Sequence, residues 1–371
     1  MNEYLSISTE SLKKNNAFWT AKEITQQPEC WSITRDLVRN NDELAPWLES
    51  VLAKENLRII LTGAGTSAYV GEALAPHLTK ACNRLVEAVS TTDIVSSPDQ
   101  YLISSIPTLL VSYGRSGDSP ESVAAIKLAD QVLDDCYHLV ITCNEDGSLA
   151  RYANESEKAF SVLMPSQSLD QSFAMTSSFT SMYVATLAIF AADDKQLAFA
   201  IDAAQHVIET LCPTIQDISQ LNNTKQIFLG SAALSGMAKE ASLKYLELTA
   251  GKIGCFCESS LGFRHGPKSN VDEKSIIIML DSNDEYISHY DNDMVNELTA
   301  NAIAMKVVTL KGLLPEVPDD LSDVWLGLPY IVICQILSFY KSLSLNFTPD
   351  NPCPTGEVNR VVQGVNLYPF G

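Results

Sequence analysis

Residues 59–78 read IILTGAGTSAYVGEALAPHL: an apolar run, Ile59–Thr62, turns on Gly63-Ala64-Gly65 into a helical pattern. A strand turning on glycines into a helix is the opening of a βαβ unit. Glycines at that junction let backbone N–H groups approach an anion, and the helix N-terminus adds partial positive charge. Outward from this stretch the rhythm continues. Strand-like runs at Arg58–Thr62, Pro107–Ser112, Tyr137–Thr142 and Ala159–Met164 alternate with helical patterns at Ser67–Ala81, Pro120–Leu133 and Ser172–Phe190. Strands that are nearly continuous in apolar residues suit a parallel sheet covered by helices on both faces.

The second half repeats the plan. QIFLGS (Gln226–Ser231), SIIIML (Ser275–Leu280), MKVVTL (Met305–Leu310) and VWLGLP (Val324–Pro329) stand in the same order as the four runs of the first half. The first two steps are about fifty and about thirty residues in both halves, which points to a duplicated unit. The expected fold is therefore α/β, two tandem doubly wound parallel-sheet domains with a helical lead-in and an extended tail. Residues 1–55 form the lead-in, 56–198 the first domain, 199–345 the second and 346–371 the tail, with the boundary around the polar stretch AADDKQ near Ala191–Gln205.

Composition narrows the function. The 371-residue chain has 25 Lys+Arg against 45 Asp+Glu, a formal charge of −20. Such a surface repels phosphodiester backbones and anionic lipid, so no nucleic-acid or membrane partner is expected. The first thirty residues lack the apolar core of a secretory signal. Ser181–Ala192 and Val324–Tyr340 are apolar but fall short of the about twenty residues of a spanning helix, and both read as buried helices. Nine scattered cysteines suit a reducing cytoplasm, and Cys255-Phe-Cys257 lacks the spacing of a zinc pair, so no metal site is expected.

Hydroxyl groups gather at the strand ends. Gly65, Thr66 and Ser67 follow the first strand. The loop after the second holds Gly114, Arg115, Ser116, Gly117 and Ser119, with Pro120 opening a helix. Ligands of open α/β sheets sit at the carboxyl ends of strands, so both loops face one crevice. Thr176, Ser177 and Ser178 form a third cluster at a helix start. Helix capping alone explains any one of these groups; two glycine-hydroxyl loops after consecutive strands point to a single phosphate on a small ligand, with Arg115 adding charge-assisted bonds. The same stretch fits G-x-G-x-x-A (Gly63, Gly65, Ala68), with Glu87 about twenty residues on, which leaves a nicotinamide-dependent oxidoreductase as an alternative.

Acid–base candidates follow the fifth strand-like run. Lys244 and Glu247 are three apart on a helix and share a face, where a plain surface ion pair is the bland explanation. Glu240 and Lys239 compete for the same partners. His265 lies in the turn Arg264-His265-Gly266-Pro267. A carboxylate, a lysine and a histidine in one segment supply a base, a charge stabiliser and a proton shuttle.

Taken together, GAGTSA, YGRSGDSPES, FAMTSSFTS and SLKYLELTAGK…FRHGP resemble the tandem sugar isomerase (SIS, flavodoxin-like) superfamily, as in the isomerase half of glucosamine-6-phosphate synthase. The likeness is strongest to the bacterial galactosamine-6-phosphate deaminase/ketose–aldose isomerase group, and includes an N-terminal EI-x-x-QP (Glu23, Ile24, Gln27, Pro28) and the tail GEVNRVVQGV (Gly356–Val365). The resemblance implies that Ser67, Ser116, Ser119 and a residue of Thr176–Ser178 bind a sugar 6-phosphate. It implies that Glu247 moves a proton between C2 and C1 beside Lys244, and that His265 assists ring opening from the neighbouring subunit of a homodimer or larger assembly. Arg360 stands near a C-terminal lysine of the synthase, on a tail that closes over the site. Gly114, Arg115 and Ser177 depart from the synthase pattern, and its glutaminase domain is absent, which favours the deaminating direction.

The implied activity converts galactosamine 6-phosphate to tagatose 6-phosphate and ammonia, without metal or redox cofactor. A plain aldose–ketose isomerase and a glucosamine-6-phosphate deaminase remain alternatives. A non-enzymatic sugar-phosphate-sensing regulator is disfavoured, because residues 1–50 carry five Lys/Arg against eight Asp/Glu, wrong for a DNA-contacting head.

Overall fold

The structure is a computed structural model that describes residues 3–353, 355–362 and 364–371. It divides into two compact units. One comprises Glu29–Asp170, Ser177–Asp193 and Thr355–Gly371; the other comprises Met1–Pro28, Gln171–Thr176 and Asp194–Pro354. The lead-in is shared between them. Helix α1 (Phe18–Thr25) belongs to the second unit and most of α2 (Gln27–Arg39) to the first.

The first unit is built on five parallel strands, β1 (Arg58–Thr62), β2 (Val86–Ala88), β3 (Thr108–Gly114), β4 (Cys136–Thr142) and β5 (Ala159–Leu163), in the order β2-β1-β3-β4-β5. Residues Thr108–Gly114 are all buried, as a strand covered on both faces requires. Helices α3 (Thr66–Ala81), α4 (Pro120–Val132) and α5 (Ser177–Phe190) follow β1, β3 and β5. The expected helix from Ser172 starts instead at Ser177. Ile60, Leu110, Val140, Ile126 and Ala129 form the core between this sheet and α4.

The second unit repeats the topology with one strand fewer. β6 (Lys225–Gly230), β7 (Gly254–Glu258), β8 (Ser275–Leu280) and β9 (Lys306–Thr309) are parallel, in the order β9-β8-β6-β7. Each sheet thus places its second strand at one edge and its first and third side by side. Helix α6 (Ala233–Leu248) follows β6, α7 (Ser260–Phe263) follows β7, and α8 (Glu285–Asn301) follows β8.

Two sequence expectations need correction. Val324–Pro329 is not a fourth strand but the start of α9 (Asp323–Ser344), a mostly apolar 22-residue helix buried on every side from Val324 to Ser342. Pro329 would remove a ladder hydrogen bond from a central strand, and an all-round apolar helix is stable only when enclosed. By length and composition α9 passes as a membrane span, yet 94% of its most apolar window is buried within the protein. The edge strands β2 and β7 were not anticipated; VEA is very short and GCFCE has no apolar alternation to mark it.

The turn after the first strand shows the duplication at the backbone. Gly63 admits no side chain, since a Cβ there would lie 2.6 Å from the Ser67 carbonyl carbon, and Gly65 has φ +55°. In the second unit a Cβ on Gly230 would lie 2.5 Å from the Leu234 oxygen. Ala232, at φ 51° and ψ −123°, occupies the conformation that Gly65 holds at φ 55° and ψ −127°.

Candidate active site

In the first unit, the loops after the adjacent strands β1 and β3 lie at the point where strand order reverses, the usual ligand position of such sheets. Thr66 and Ser67 open α3 and are nearly buried. The Ser67 hydroxyl forms no hydrogen bond among the described residues. The second loop is held rigid from below. Asn144 Nδ2 donates to the Ser116 carbonyl at 2.9 Å, the Leu149 amide donates to the Gly117 carbonyl at 3.0 Å, and Asp118 accepts the Ser148 amide at 2.9 Å. Ser119 caps α4, its hydroxyl accepting the Ser122 amide at 3.2 Å. The Ser116 hydroxyl accepts the Asp118 amide at 3.3 Å. Glu87, the acidic residue of the dinucleotide pattern, is ion-paired with Arg58 Nε at 2.5 Å.

The third hydroxyl cluster is arranged differently from the expectation. The Asp170 carboxylate accepts both hydroxyls, from Ser177 and Ser178 at 2.5 Å each, and the Ser178 amide at 2.9 Å. The anion at the start of α5 is therefore the chain's own, and Thr176, Ser177 and Ser178 are all fully buried. A carboxylate seven residues upstream is too remote for a capping signature, so the sequence carried no signal of it. Arg115 Nη2 donates to the Arg360 carbonyl at 2.6 Å, and Arg360 Nη2 donates to the Asp170 carbonyl. Both arginines named from sequence are thus joined through the tail.

The second unit carries the acid–base group. Glu240, Lys244 and Glu247 lie at i, i+4 and i+7 of α6, on one face. Lys244 Nζ is 2.5 Å from Glu247 Oε2 and 3.6 Å from Glu240 Oε1. The side chains of Lys244 and Glu240 are 1% and 0% exposed, whereas that of Glu247 is 21% exposed. This is no surface pair. One cation is enclosed by two carboxylates, and the more accessible carboxylate holds the shorter contact. His265 stands apart from this triad: it is exposed, between α7 and a short turn, and its imidazole bonds to no described residue. Its loop is pinned from both sides, since Arg264 (2.9 Å) and Lys268 both pair with Glu297 of α8. Those two cations hold the Glu297 carboxyl below its ordinary range, Lys268 first.

The reversal point of the second sheet is filled from within. Asp291 of α8 accepts the Ser231 hydroxyl at 3.3 Å, the Ser260 hydroxyl and the Ser282 amide at 2.9 Å. Burial raises the carboxyls of Asp281 and Asp323 beside it. A group of possible metal ligands also escaped the sequence reading: Asp130, Cys136 and His138. His138 Nε2 lies 2.9 Å from Asp130 and 3.3 Å from Cys136 Sγ. Its buried Nδ1 meets no partner among the described residues. A ligating imidazole normally donates its second N–H to an orienting acceptor, so the donor set fits a metal poorly and suits a hydrogen-bonded polar cluster.

Residues 51–192 match the SIS domain family. Over 369 residues the chain is 52% identical to D-galactosamine-6-phosphate deaminase AgaS of Shewanella sp. (strain ANA-3), covering 99% of this chain and 96% of that protein. The chain belongs to the AgaS family of SIS-domain proteins. Its similarity to the solved tagatose-6-phosphate ketose/aldose isomerase from Escherichia coli is 39% identity and a TM-score of 0.85, over 95% and 96% of the two chains. The C-terminal domain of glucosamine-fructose-6-phosphate aminotransferase from Francisella tularensis shares the fold, with a TM-score of 0.72 at 21% identity over 90% and 98%. In this AgaS-family chain the glycine-hydroxyl loops belong to the first unit and the carboxylate–lysine face to the second.

Proposed function

We propose that the protein is a galactosamine-6-phosphate deaminase that works by aldose–ketose isomerisation, yielding tagatose 6-phosphate and ammonia. The observation that carries this reading is the 52% identity over nearly the whole chain to a galactosamine-6-phosphate deaminase. The chemistry of the two units agrees with it. Ser67, Ser116 and Ser119, with the N–H groups that open α3 and α4, hold the 6-phosphate, with Gly65 and Thr66 shaping the turn. Arg115 and Arg360 add positive charge, and Thr176 contributes from the third loop. An anchored phosphate, remote from the reacting carbons, fixes their position.

His265 takes the anomeric hydroxyl proton and returns one to the ring oxygen, opening the sugar to its C1 aldehyde. Glu247 then removes the C2 proton, whose electrons form the C1–C2 double bond while the C1 oxygen gains a proton. Lys244 stabilises the oxyanion as it develops. Return of a proton to C1 shifts the double bond to C2 and nitrogen. Water adds to that imine and expels ammonia, leaving the ketose. No step calls for a metal or a redox partner. His265, exposed and bonded to no described residue of its own chain, is suited to serving a second copy, so the working form is a homodimer or larger assembly in the cytoplasm. The test is a coupled ammonia assay on galactosamine 6-phosphate, glucosamine 6-phosphate and their N-acetyl forms. Release from the galacto substrate alone is expected; isomerisation without ammonia would favour the plain isomerase.

A further inference from the structure

The N-terminal Glu23, part of the EI-x-x-QP string, has no role in the scheme above, yet it is among the most enclosed carboxylates of the protein, 2% exposed. It accepts the Gln171 amide at 2.5 Å, the Ser172 amide at 3.3 Å and the Ser172 hydroxyl. Charge-assisted bonds of this kind are the strong ones. The Gln171 amide is one side of the Asp170–Gln171 peptide, and the carbonyl on its other side accepts Arg360 Nη2. An anion on the N–H and a cation on the C=O both align with the peptide dipole, and each strengthens the other's bond. Arg360 in turn presents its own carbonyl to Arg115, in the loop between Gly114 and Ser116.

The adjoining backbone is fixed as firmly. The Phe173 amide donates to the Asp350 carbonyl at 3.0 Å, and the Asp350 carboxylate accepts the Trp19 and Thr20 amides at the start of α1, the helix that carries Glu23. The Ser172 hydroxyl also donates to the Ala174 carbonyl at 3.0 Å. By contrast, the tail Thr355–Gly371 contains no helix or strand among its described residues; besides the Arg360 bonds, Gln131 Nε2 donates to the Phe370 carbonyl at 2.5 Å.

We propose that Glu23 is a positioning residue: by holding the Asp170–Gln171 peptide it presents that peptide's carbonyl to Arg360 and so seats the C-terminal tail on the Arg115 loop. Glu23 touches no substrate in this role. The tail responds to it through one peptide bond.

The test compares amide hydrogen exchange of residues 356–362 in the full-length wild type, E23Q, E23D and R360A, and tryptic cleavage after Arg360 in the three that keep that arginine, with circular dichroism as the check on folding. E23Q keeps the side-chain volume, and E23D keeps the charge but withdraws it by one methylene. Each glutamate variant is expected to speed tail exchange and cleavage about tenfold, its exchange matching that of R360A, with no further gain in exchange in E23Q/R360A. Equal tail protection in folded E23Q or E23D and the wild type would overturn the proposal, as would loosening that adds to that of R360A. The consequence for turnover rests on the functional reading: KM for galactosamine 6-phosphate should rise about tenfold with kcat nearly unchanged. Failure of that reading shows itself separately, as a wild-type protein that releases no ammonia while the tail comparison still holds.

Discussion

Removing the Lys244 ammonium tests whether the triad on α6 is the buried electrostatic unit that its geometry describes. At an effective dielectric of about 20, contacts of 2.5 Å to Glu247 and 3.6 Å to Glu240 are worth about 7 and about 5 kcal/mol before desolvation is counted. Desolvation of the fully buried Lys244 and Glu240 offsets most of that attraction. What remains after deletion is a carboxylate, Glu240, with 0% exposure and without its Lys244 contact. Breaking one side of such a pair typically costs about 3–5 kcal/mol, so Lys244→Met, similar in length and volume, should lose that much stability. Urea unfolding followed by circular dichroism measures it. Glu240→Gln in the Lys244→Met background should restore about 1–3 kcal/mol, because a buried charge that has lost its Lys244 contact is removed. A Lys244→Met protein within about 0.5 kcal/mol of wild type, or a double variant no better than the single, would refute the reasoning.

Glu247→Gln should retain phosphate-ligand affinity by calorimetry while ammonia release falls about 10²–10⁴-fold, the usual loss of one general base. Ala232→Gly should stabilise the protein by about 1 kcal/mol in urea unfolding, because a Cβ at φ 51° is strained where Gly65 of the other unit is not. Asp281 and Asp323 have carboxyls raised above 3.8 chiefly by burial, so the folded state binds their protons more tightly than the unfolded chain. Their contribution to stability is therefore lost as pH rises from about 3.8 through the raised folded values. Asp323→Asn should flatten the dependence of melting temperature on pH in that acid range.

How far the structure was legible from sequence depends on whether the cause was local. β1, β3, β4 and β5 were visible because apolar runs bounded by glycine or polar loops leave few alternatives, and Pro120 and Ser119 mark the start of α4 by their own chemistry. Lys244 and Glu247 were paired by helical spacing alone. The misreading of Val324–Pro329 came from the opposite circumstance: an unbroken apolar run has no period to separate a strand from an enclosed helix, and only the packing of α9 against α6 and its neighbours decides. Asp170 and Asp291 were invisible because each serves hydroxyls and amides beyond the reach of a capping motif, seven or eight residues on for Asp170 and up to 60 residues away for Asp291. Ser177 and Ser178 looked like phosphate ligands for the same reason. Their partner is an anion, but one belonging to the protein.

That substitution bears on why a duplicated fold carries different chemistry in its two copies. Both units make the same tight turn after their first strand, with Gly63 and Gly65 answered by Gly230 and Ala232. In the first unit the Ser67 hydroxyl at that turn has no partner among the described residues, which suits an incoming phosphate. In the second, Ser231, Ser260 and the Ser282 amide converge on Asp291, so the donors that would hold a phosphate already hold a carboxylate. A second dianion there would also face the buried Asp281 and Asp323. With that sheet end already occupied by a carboxylate of its own, the second unit places its distinctive charges on α6 instead, where Glu240 and Glu247 enclose the buried Lys244 ammonium.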